Sequence, residues 1–226
     1  DRLFVHSITD VNRLKGFNLV NNVALFPHGV SLNKSPIQNN FAKNLLWKDN
    51  NKIISSYGFI LPHKGIQTLI KAFFELRAKY AKIRLLLINS IYPASESERE
   101  MESCRQLIQS SIYKNDILMI NDYLQDDESI IFLQQSDLLV FPYQNTQESS
   151  SAAIRMGISS GRPVACTPLG IFEDVSDTVY FLPGNSAKEV AEGIEKFLFD
   201  EDLIAIQKKK QNDWLIAHDW EKLSNR

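Results

Sequence analysis

The chain has 226 residues, of which 44% are hydrophobic and 23% are charged, and its formal net charge is −2. This is ordinary globular composition, long enough for one large domain or for one domain and part of a second. The balanced charge, with no basic run longer than Lys208–Lys210, argues against a nucleic-acid partner. No apolar run reaches the about 20 residues of a membrane span. Cys104 and Cys166 lie far apart, outside any metal-binding spacing, and indicate free thiols in a reducing compartment.

Short apolar runs typical of strands alternate along the chain with amphipathic runs typical of helices. The predicted strands are residues 3–5, 23–26, 52–57, 83–88, 117–120, 138–141, 164–166 and 179–182. The predicted helices are residues 64–80, 96–112, 128–135, 150–160, 187–199 and 203–217. The run IRLLLI at 83–88 is apolar except for Arg84, as in a strand covered on both faces. The alternation predicts right-handed βαβ units and a doubly wound parallel α/β sheet, with residues 31–51 as an irregular polar surface segment.

Ligands of such a sheet bind beyond the carboxyl ends of its strands. That rule selects the loops at residues 58–65, 89–95, 121–127 and 142–150. In the first loop, GFILPHKG, Gly58 predicts a tight turn and Lys64 falls in the first turn of the following helix. The helix dipole disfavours a cation there unless an anion is bound nearby, so Lys64 is a candidate diphosphate ligand. The alternative is a solvent-exposed lysine, and His63 is expected to be a surface or capping residue.

The segment PYQNTQESSSAAIRMG follows the predicted strand 138–141 and starts a helix at Ser149 or Ser150. Serines cap helices well, and the small residues behind them leave backbone N–H groups open to an anion. Glu148 directly precedes this N-terminus. Its carboxylate either complements the helix dipole or accepts hydrogen bonds from a hydroxylated ligand such as a sugar, and both interpretations stay open.

The order of GFILPHKG, IRLLLI, SDLLVFPY, the Glu-led helix and SGRPVACT resembles the family 4 glycosyltransferases over residues 20–220. The resemblance implies a retaining enzyme of the GT-B fold, in which two Rossmann-like domains face each other across a cleft. This chain is similar to the C-terminal, donor-binding half. Residues 1–27 then correspond to a remnant of the N-terminal acceptor domain and its linker, and residues 28–226 to the nucleotide-sugar-binding domain, which opens with the turn at His28.

The resemblance also implies roles for individual residues. Lys64 matches the lysine that contacts the donor diphosphate, and Glu148 matches the first glutamate of a Glu-x7-Glu motif, which contacts the donor sugar. Both are expected to be catalytic. The other expected donor-binding residues are Gly58, Tyr123, Leu124, Ser149, Ser150, Ser151 and Arg155. Within that set, the backbone at Tyr123 and Leu124 is expected to contact the base, and the serine backbone to approach the sugar and phosphates.

The chain departs from the family pattern at two positions. Phe59 stands where an arginine usually contacts the diphosphate, and Met156 stands where the second glutamate usually holds the ribose hydroxyls. A thioether accepts such hydrogen bonds far more weakly than a carboxylate does. Arg155 is a candidate replacement cation, although neighbouring residues on a helix point about 100° apart. The ESSSAA and PHKG segments resemble a looser subgroup of surface-polysaccharide enzymes.

The resemblance implies transfer of a sugar, with retention, from a nucleotide-sugar to a hydroxyl of a glycan or other acceptor in surface polysaccharide biosynthesis. It implies no cofactor and no metal; no Asp-x-Asp element occurs, and Asp126 and Asp127 are expected to cap the helix at Glu128. The expected partners are the donor, the glycan acceptor and the missing N-terminal domain, without nucleic acid. The expected location is cytoplasmic, with peripheral association at the inner face of the membrane through the parent protein. Without its acceptor domain the chain is expected to be inactive.

Three alternatives compete with this interpretation. Phe59 and Met156 favour a glycosyltransferase-like module that no longer catalyses and serves as a scaffold or a partner-binding domain. A GT-B epimerase requires catalytic carboxylates and histidines in both domains, and only Glu148 is well placed for such a role. An unrelated dinucleotide-binding Rossmann domain is disfavoured because no GxGxxG follows a predicted strand.

Overall fold

The computed structural model describes residues 2–19, 21–31, 47, 50–146 and 148–225. Its strands are β1 Leu3–Val5, β2 Val23–Leu25, β3 Lys52–Ile60, β4 Ile83–Ile91, β5 Ile117–Ile120, β6 Leu138–Phe141, β7 Val164–Cys166 and β8 Tyr180–Phe181. Its α-helices are α1 Ile8–Gly16, α2 Ile66–Lys79, α3 Ser95–Gln109, α4 Asp126–Leu133, α5 Ala152–Ser159, α6 Ala187–Leu198, α7 Glu201–Ala217 and α8 Trp220–Leu223. Short 3₁₀ turns lie at Pro62–Lys64, Lys114–Asp116 and Gly170–Val175.

Six parallel strands form the main sheet in the order β5-β4-β3-β6-β7-β8. From β3 the chain moves outward to β5 and then returns to place β6 on the other side of β3, so the order of connection reverses between β3 and β6. β3 pairs with β6 only through Ile54 and Ser55, whereas it follows β4 as far as Ile60. The predicted doubly wound parallel sheet is confirmed, and the reversal leaves a crevice beyond the ends of β3 and β6.

The two faces of the sheet bury separate apolar clusters because successive side chains of a strand point to opposite faces. Ile54, Leu85 and Leu87 pack in one cluster with α2, α3 and α6. Ile53, Leu86 and Ile88 pack in the other cluster with α4, α5 and α7. Burial on both faces explains why the centre of β4, from Leu85 to Ile88, is apolar and why the segment could be predicted as a covered strand.

The structure corrects the predicted conformation of the loop at residues 58–65. Gly58 lies inside β3 with a φ of 120°, so the tight turn predicted there is wrong. The chain turns later, through the 3₁₀ turn Pro62–Lys64, and α2 begins only at Ile66. Lys64 therefore immediately precedes the helix and its Gly65 cap, instead of lying in the first helical turn.

Other element boundaries also shift. α5 begins at Ala152 with Ser151 as its N-cap, so the predicted start at Ser149 or Ser150 is early. α4 begins at Asp126 with Gln125 as its N-cap. Asp126 and Asp127 therefore belong to the first turn of the helix and are not its capping residues. The helices α1 and α8 were not predicted. α8 has only four residues, too short to show a helical period in the sequence.

Near the start of the chain, β1 and β2 pair in a separate two-stranded parallel sheet, with α1 between them in sequence. The segment at Gly29 and Val30 contacts the C-terminal part of the chain. Val30 forms a β-bridge with Asp219, and Gly29 lies against the Trp220 ring. The assignment of residues 1–27 to an N-terminal domain stays a prediction. Most of the surface segment predicted at 31–51 lies outside the described residues. Among the residues that the structure describes, no helix is long and apolar enough to cross a membrane.

Candidate functional site

A cavity of about 690 Å³ occupies the crevice beyond the ends of β3 and β6. The end of β3, the loop before α4, the loop before α5 and the segment around His28 all contribute to its wall. Of the predicted site residues, it is lined by Gly58, Lys64, Tyr123, Leu124, Glu148, Ser150, Ser151 and Arg155. Ser149 is the predicted site residue that does not line it, although it lies between two residues that do.

Two loops that are far apart in sequence meet at one end of this cavity. The N–H of Gln144 donates to the carbonyl oxygen of His63 at 2.7 Å. Gly65 has a φ of 71°, and a Cβ atom there would clash with the backbone carbonyl of Pro142. Glycine thus permits both the left-handed conformation and the close approach of the loop after β6. This junction brings the residues before α2 beside the residues before α5.

The junction places a cation between a carboxylate and an aromatic ring. Lys64 Nζ donates to Glu148 Oε2 at 2.7 Å and lies 4.2 Å from the centroid of the Tyr143 ring. His63 Nε2 is 3.2 Å from the other carboxylate oxygen, Oε1. The Lys64 side chain is only 13% exposed, against 44% for Glu148. Lys64 is therefore the fixed member of the pair, and Glu148 is the member with room to move.

The N-terminus of α5 faces the same cavity. Ser151 accepts a hydrogen bond from the N–H of Ile154, and its hydroxyl lies 3.0 Å from that of the buried Tyr143. Gly58 lets the helix approach β3 closely, since a Cβ there would lie 3.1 Å from that of Ala153. Small residues and unpaired N–H groups at a helix start favour an anion. The lysine and this helix start together make one end of the cavity suitable for a diphosphate.

Arg155 is more deeply buried than the sequence suggested. Its side chain is 3% exposed, and its guanidinium donates to the carbonyl oxygen of Ser151 at 2.7 Å and to the carboxylate of Asp174. Burial lowers the pKa of Arg155 to about 10. The contact with Asp174 joins α5 to the segment after β7, and the contact with Ser151 lies within the start of the helix. A contact between Arg155 and a donor stays a prediction.

Part of the cavity wall is aromatic and acidic. Phe59, at the position expected to hold an arginine, packs edge-on against Tyr92 with ring centroids 5.1 Å apart, and its ring lies 6.4 Å from that of Tyr123. Asp126, Asp127 and Met156 also line the cavity. Phe59 supplies no positive charge. A diphosphate bound beside Lys64 would therefore lack the second cation that an arginine at position 59 would provide.

Several residues in or beside the cavity wall were missed or undervalued. Tyr143 comes directly after Pro142, and nothing in the sequence marks it as the support of Lys64. His63 was expected to be an unremarkable surface residue, yet it contacts Glu148. His28 lines the cavity, and burial lowers its pKa. Within the described ranges, from residue 2 to residue 225 with their gaps, no group of three or more His, Cys, Asp or Glu residues is arranged to hold a metal ion.

Comparison with known proteins identifies the family to which this chain belongs. Residues 37–214 match the family model described as glycosyl transferases group 1, and this covers most of the chain. The chain belongs to this family. Another sequence similar to this group 1 domain is lipopolysaccharide 1,2-N-acetylglucosaminetransferase of Salmonella typhimurium, with 22% identity over 210 residues. The alignment covers 90% of this chain and 55% of that enzyme, so the chain spans about half the length of the curated relative.

Solved structures share the fold of this group 1 glycosyltransferase domain. The sucrose-phosphate synthase of Thermosynechococcus elongatus superposes with a TM-score of 0.81 at 19% identity, over 100% of this chain and 56% of that one. Anabaena HepE, solved in complex with UDP and glucose, superposes with a TM-score of 0.80 at 14% identity, over 99% of this chain and 61% of that one. These matches confirm the predicted GT-B type of α/β fold.

Proposed function

We propose that this domain binds the nucleotide-sugar donor of a retaining family 4 glycosyltransferase, which transfers the sugar to an acceptor hydroxyl in surface polysaccharide biosynthesis. The observation that carries the proposal is Lys64, held between Glu148 and Tyr143 and facing the same cavity as the start of α5. The lipopolysaccharide enzyme of Salmonella and the complex of HepE with UDP and glucose support the substrate class.

The ion pair between Lys64 and Glu148 changes partners when the donor binds. The diphosphate takes the place of Glu148 beside the Lys64 ammonium, and the exposed carboxylate turns to accept hydrogen bonds from the sugar hydroxyls. During transfer the bond from the sugar C1 to the diphosphate breaks, a bond from C1 to the acceptor oxygen forms, and the proton of the acceptor hydroxyl passes to the leaving diphosphate. Lys64 and the N–H groups of α5 stabilise the charge that develops on the leaving diphosphate, because they are already in place before the reaction.

The remaining parts of the proposal concern the surroundings of the domain. The acceptor is a glycan, held with the help of an N-terminal domain of the same protein. The reaction uses no metal and no cofactor beyond the donor itself. The protein works in the cytoplasm, at the inner face of the membrane, where surface glycans are assembled.

A direct test is calorimetric binding of UDP, GDP, ADP, CMP and dTDP to the chain. We expect one of the diphosphates to bind, and Lys64→Ala to weaken it at least about tenfold, since a charge-assisted contact to phosphate is lost. Lys71→Ala is the matched control, because Lys71 is exposed on α2, the helix that follows Lys64. Equal binding by all three proteins, or no binding by folded wild type, contradicts the proposal.

A second candidate is a glycosyltransferase-like module without catalysis, which Phe59 and Met156 favour, since neither side chain can replace the charge expected at its position. The binding measurement separates the two. A module that has lost its donor site fails to bind any of the five nucleotides, whereas a donor domain binds one of them through Lys64.

A further inference from the structure

Tyr143 is a buried residue whose side chain reaches both parts of the proposed diphosphate site. It follows β6 and Pro142 and is only 2% exposed. The Thr167 hydroxyl donates to the Tyr143 carbonyl oxygen at 2.7 Å, and the Phe172 ring packs against the Tyr143 ring with centroids 5.0 Å apart. These contacts anchor Tyr143 to the segment just after β7 and to the 3₁₀ turn that follows it. Tyr143 therefore has a fixed position in the fold.

The face of the Tyr143 ring holds Lys64. The Lys64 ammonium lies 4.2 Å from the ring centroid, a distance at which a cation is attracted to the π electrons of the ring. The Lys64 side chain is only 13% exposed, and this attraction is stronger where the cation is partly removed from water. It does not require Glu148. The ring can therefore keep the ammonium in place after Glu148 has turned to the sugar.

The hydroxyl of the same side chain contacts the N-cap of α5. Tyr143 Oη lies 3.0 Å from Ser151 Oγ, and both residues are buried. Ser151 Oγ also accepts from the N–H of Ile154 at 3.3 Å, and a hydroxyl oxygen has a second lone pair for the tyrosine. Burial raises the pKa of Tyr143, and Lys64 and Ser151 only partly offset that rise, so at neutral pH the phenol is protonated and can donate. One side chain thus joins the helix start to the cation.

We infer that Tyr143 is a positioning residue that fixes the spacing between the Lys64 ammonium and the start of α5, so that one diphosphate contacts both. This inference rests on the proposed function, because it specifies how the same cavity selects its ligand. A diphosphate has two phosphate groups and contacts both elements at once, whereas a monophosphate contacts one of them. Fixed spacing therefore favours a nucleoside diphosphate over the monophosphate, since neither element has to be rearranged on binding.

The test compares the calorimetric affinity of the chain for the tightest binder among UDP, GDP and ADP with its affinity for the matching monophosphate. We expect wild type to prefer the diphosphate by about thirtyfold, within the range for hydrogen bonds to a charged group. Tyr143→Phe keeps the ring and removes the hydroxyl, and should lower this preference about fivefold. Tyr143→Leu removes both contacts and should lower it at least about tenfold. A variant that only destabilised the fold would weaken both nucleotides by the same factor and leave the ratio unchanged.

Phe141→Leu is the matched control for Tyr143→Leu. Phe141 is buried in the same apolar cluster and packs under α5 against Gly157, but it does not line the cavity. We expect this variant to keep the wild-type ratio. A ratio unchanged in Tyr143→Phe, or lowered as much in Phe141→Leu as in Tyr143→Leu, overturns the inference.

Lys64→Ala/Tyr143→Phe completes a double-mutant cycle. Once the ammonium is gone, its spacing from α5 no longer matters, so Tyr143→Phe should change the ratio by about twofold or less in that background. The same fivefold loss with and without Lys64 overturns the inference. If Lys64→Ala weakens binding while Tyr143→Phe keeps the wild-type ratio, the donor site stands and the positioning role falls. If folded wild type binds none of the nucleotides, both fall.

Discussion

Arg155 carries a buried positive charge whose partners all belong to the protein. We predict that Arg155→Ala lowers the free energy of unfolding by about 3 kcal/mol, because it leaves the Asp174 carboxylate and the Ser151 carbonyl without their donor. The measurement is urea denaturation followed by circular dichroism. Arg105→Ala, on the exposed face of α3, is the control and should change stability by no more than about 0.5 kcal/mol. Equal midpoints for the two variants would show that the Arg155 contacts are not structural.

A site residue could be recognised from the sequence only where its side chain is unexpected in its local context. Lys64 next to a helix start and Glu148 before a run of serines were both recognisable for that reason. Their mutual contact was not, because it depends on the junction of Gly65 with Pro142, 77 positions later in the chain. Tyr143 carries no sequence signal, since an aromatic residue after a buried strand is ordinary core material.

At the scale of elements, the close approach of two loops at Gly65 determines the geometry of the cationic end. We expect Gly65→Ala to lower the free energy of unfolding by about 1 kcal/mol because of the left-handed φ, and by about 2 kcal/mol more because of the clash with Pro142. It should also weaken nucleotide binding, since Lys64 is displaced from Tyr143. The measurements are urea denaturation and calorimetric nucleotide titration of Gly65→Ala and of a control variant, Gly161→Ala.

Gly161→Ala is a close control for that prediction. Gly161 has a φ of 72°, almost equal to the 71° of Gly65, but a Cβ there meets nothing within 4 Å. Gly161→Ala should lower the free energy of unfolding only by the contribution of the left-handed φ, and it should leave nucleotide binding unchanged. If the two alanine variants are equally stable and bind nucleotide equally well, the tight junction plays no part in the site.

The elements themselves were largely predictable, and the exceptions have a physical cause. β5, β6 and β7 match their predicted ranges because each is a short apolar run ended by turn residues. β3 is longer than predicted because Gly58 was taken as a turn, whereas it serves the close packing of α5 against the strand. A glycine in a strand and a glycine in a turn look alike in sequence, since what distinguishes them is a neighbour from elsewhere in the fold.

At the scale of the whole molecule, the reversal of strand order between β3 and β6 explains where the site lies. β3 runs on past its pairing with β6, and the loops that follow these two strands bring Lys64 and Glu148 to the same crevice. The fold could be predicted from the alternation of strands and helices together with the resemblance to glycosyltransferases. Both β1 and β2 were predicted as strands, but their pairing in a separate sheet was not, because a three-residue strand does not specify its partner.

The most direct test of the account is a crystal structure of the chain with its tightest-binding nucleotide. We predict that the diphosphate lies within hydrogen-bond distance of Lys64 Nζ and of the backbone N–H groups at the start of α5, with Glu148 turned away from the lysine. A nucleotide bound elsewhere, or one in this crevice with the ion pair between Lys64 and Glu148 intact, contradicts the assignment of this cavity as a donor site.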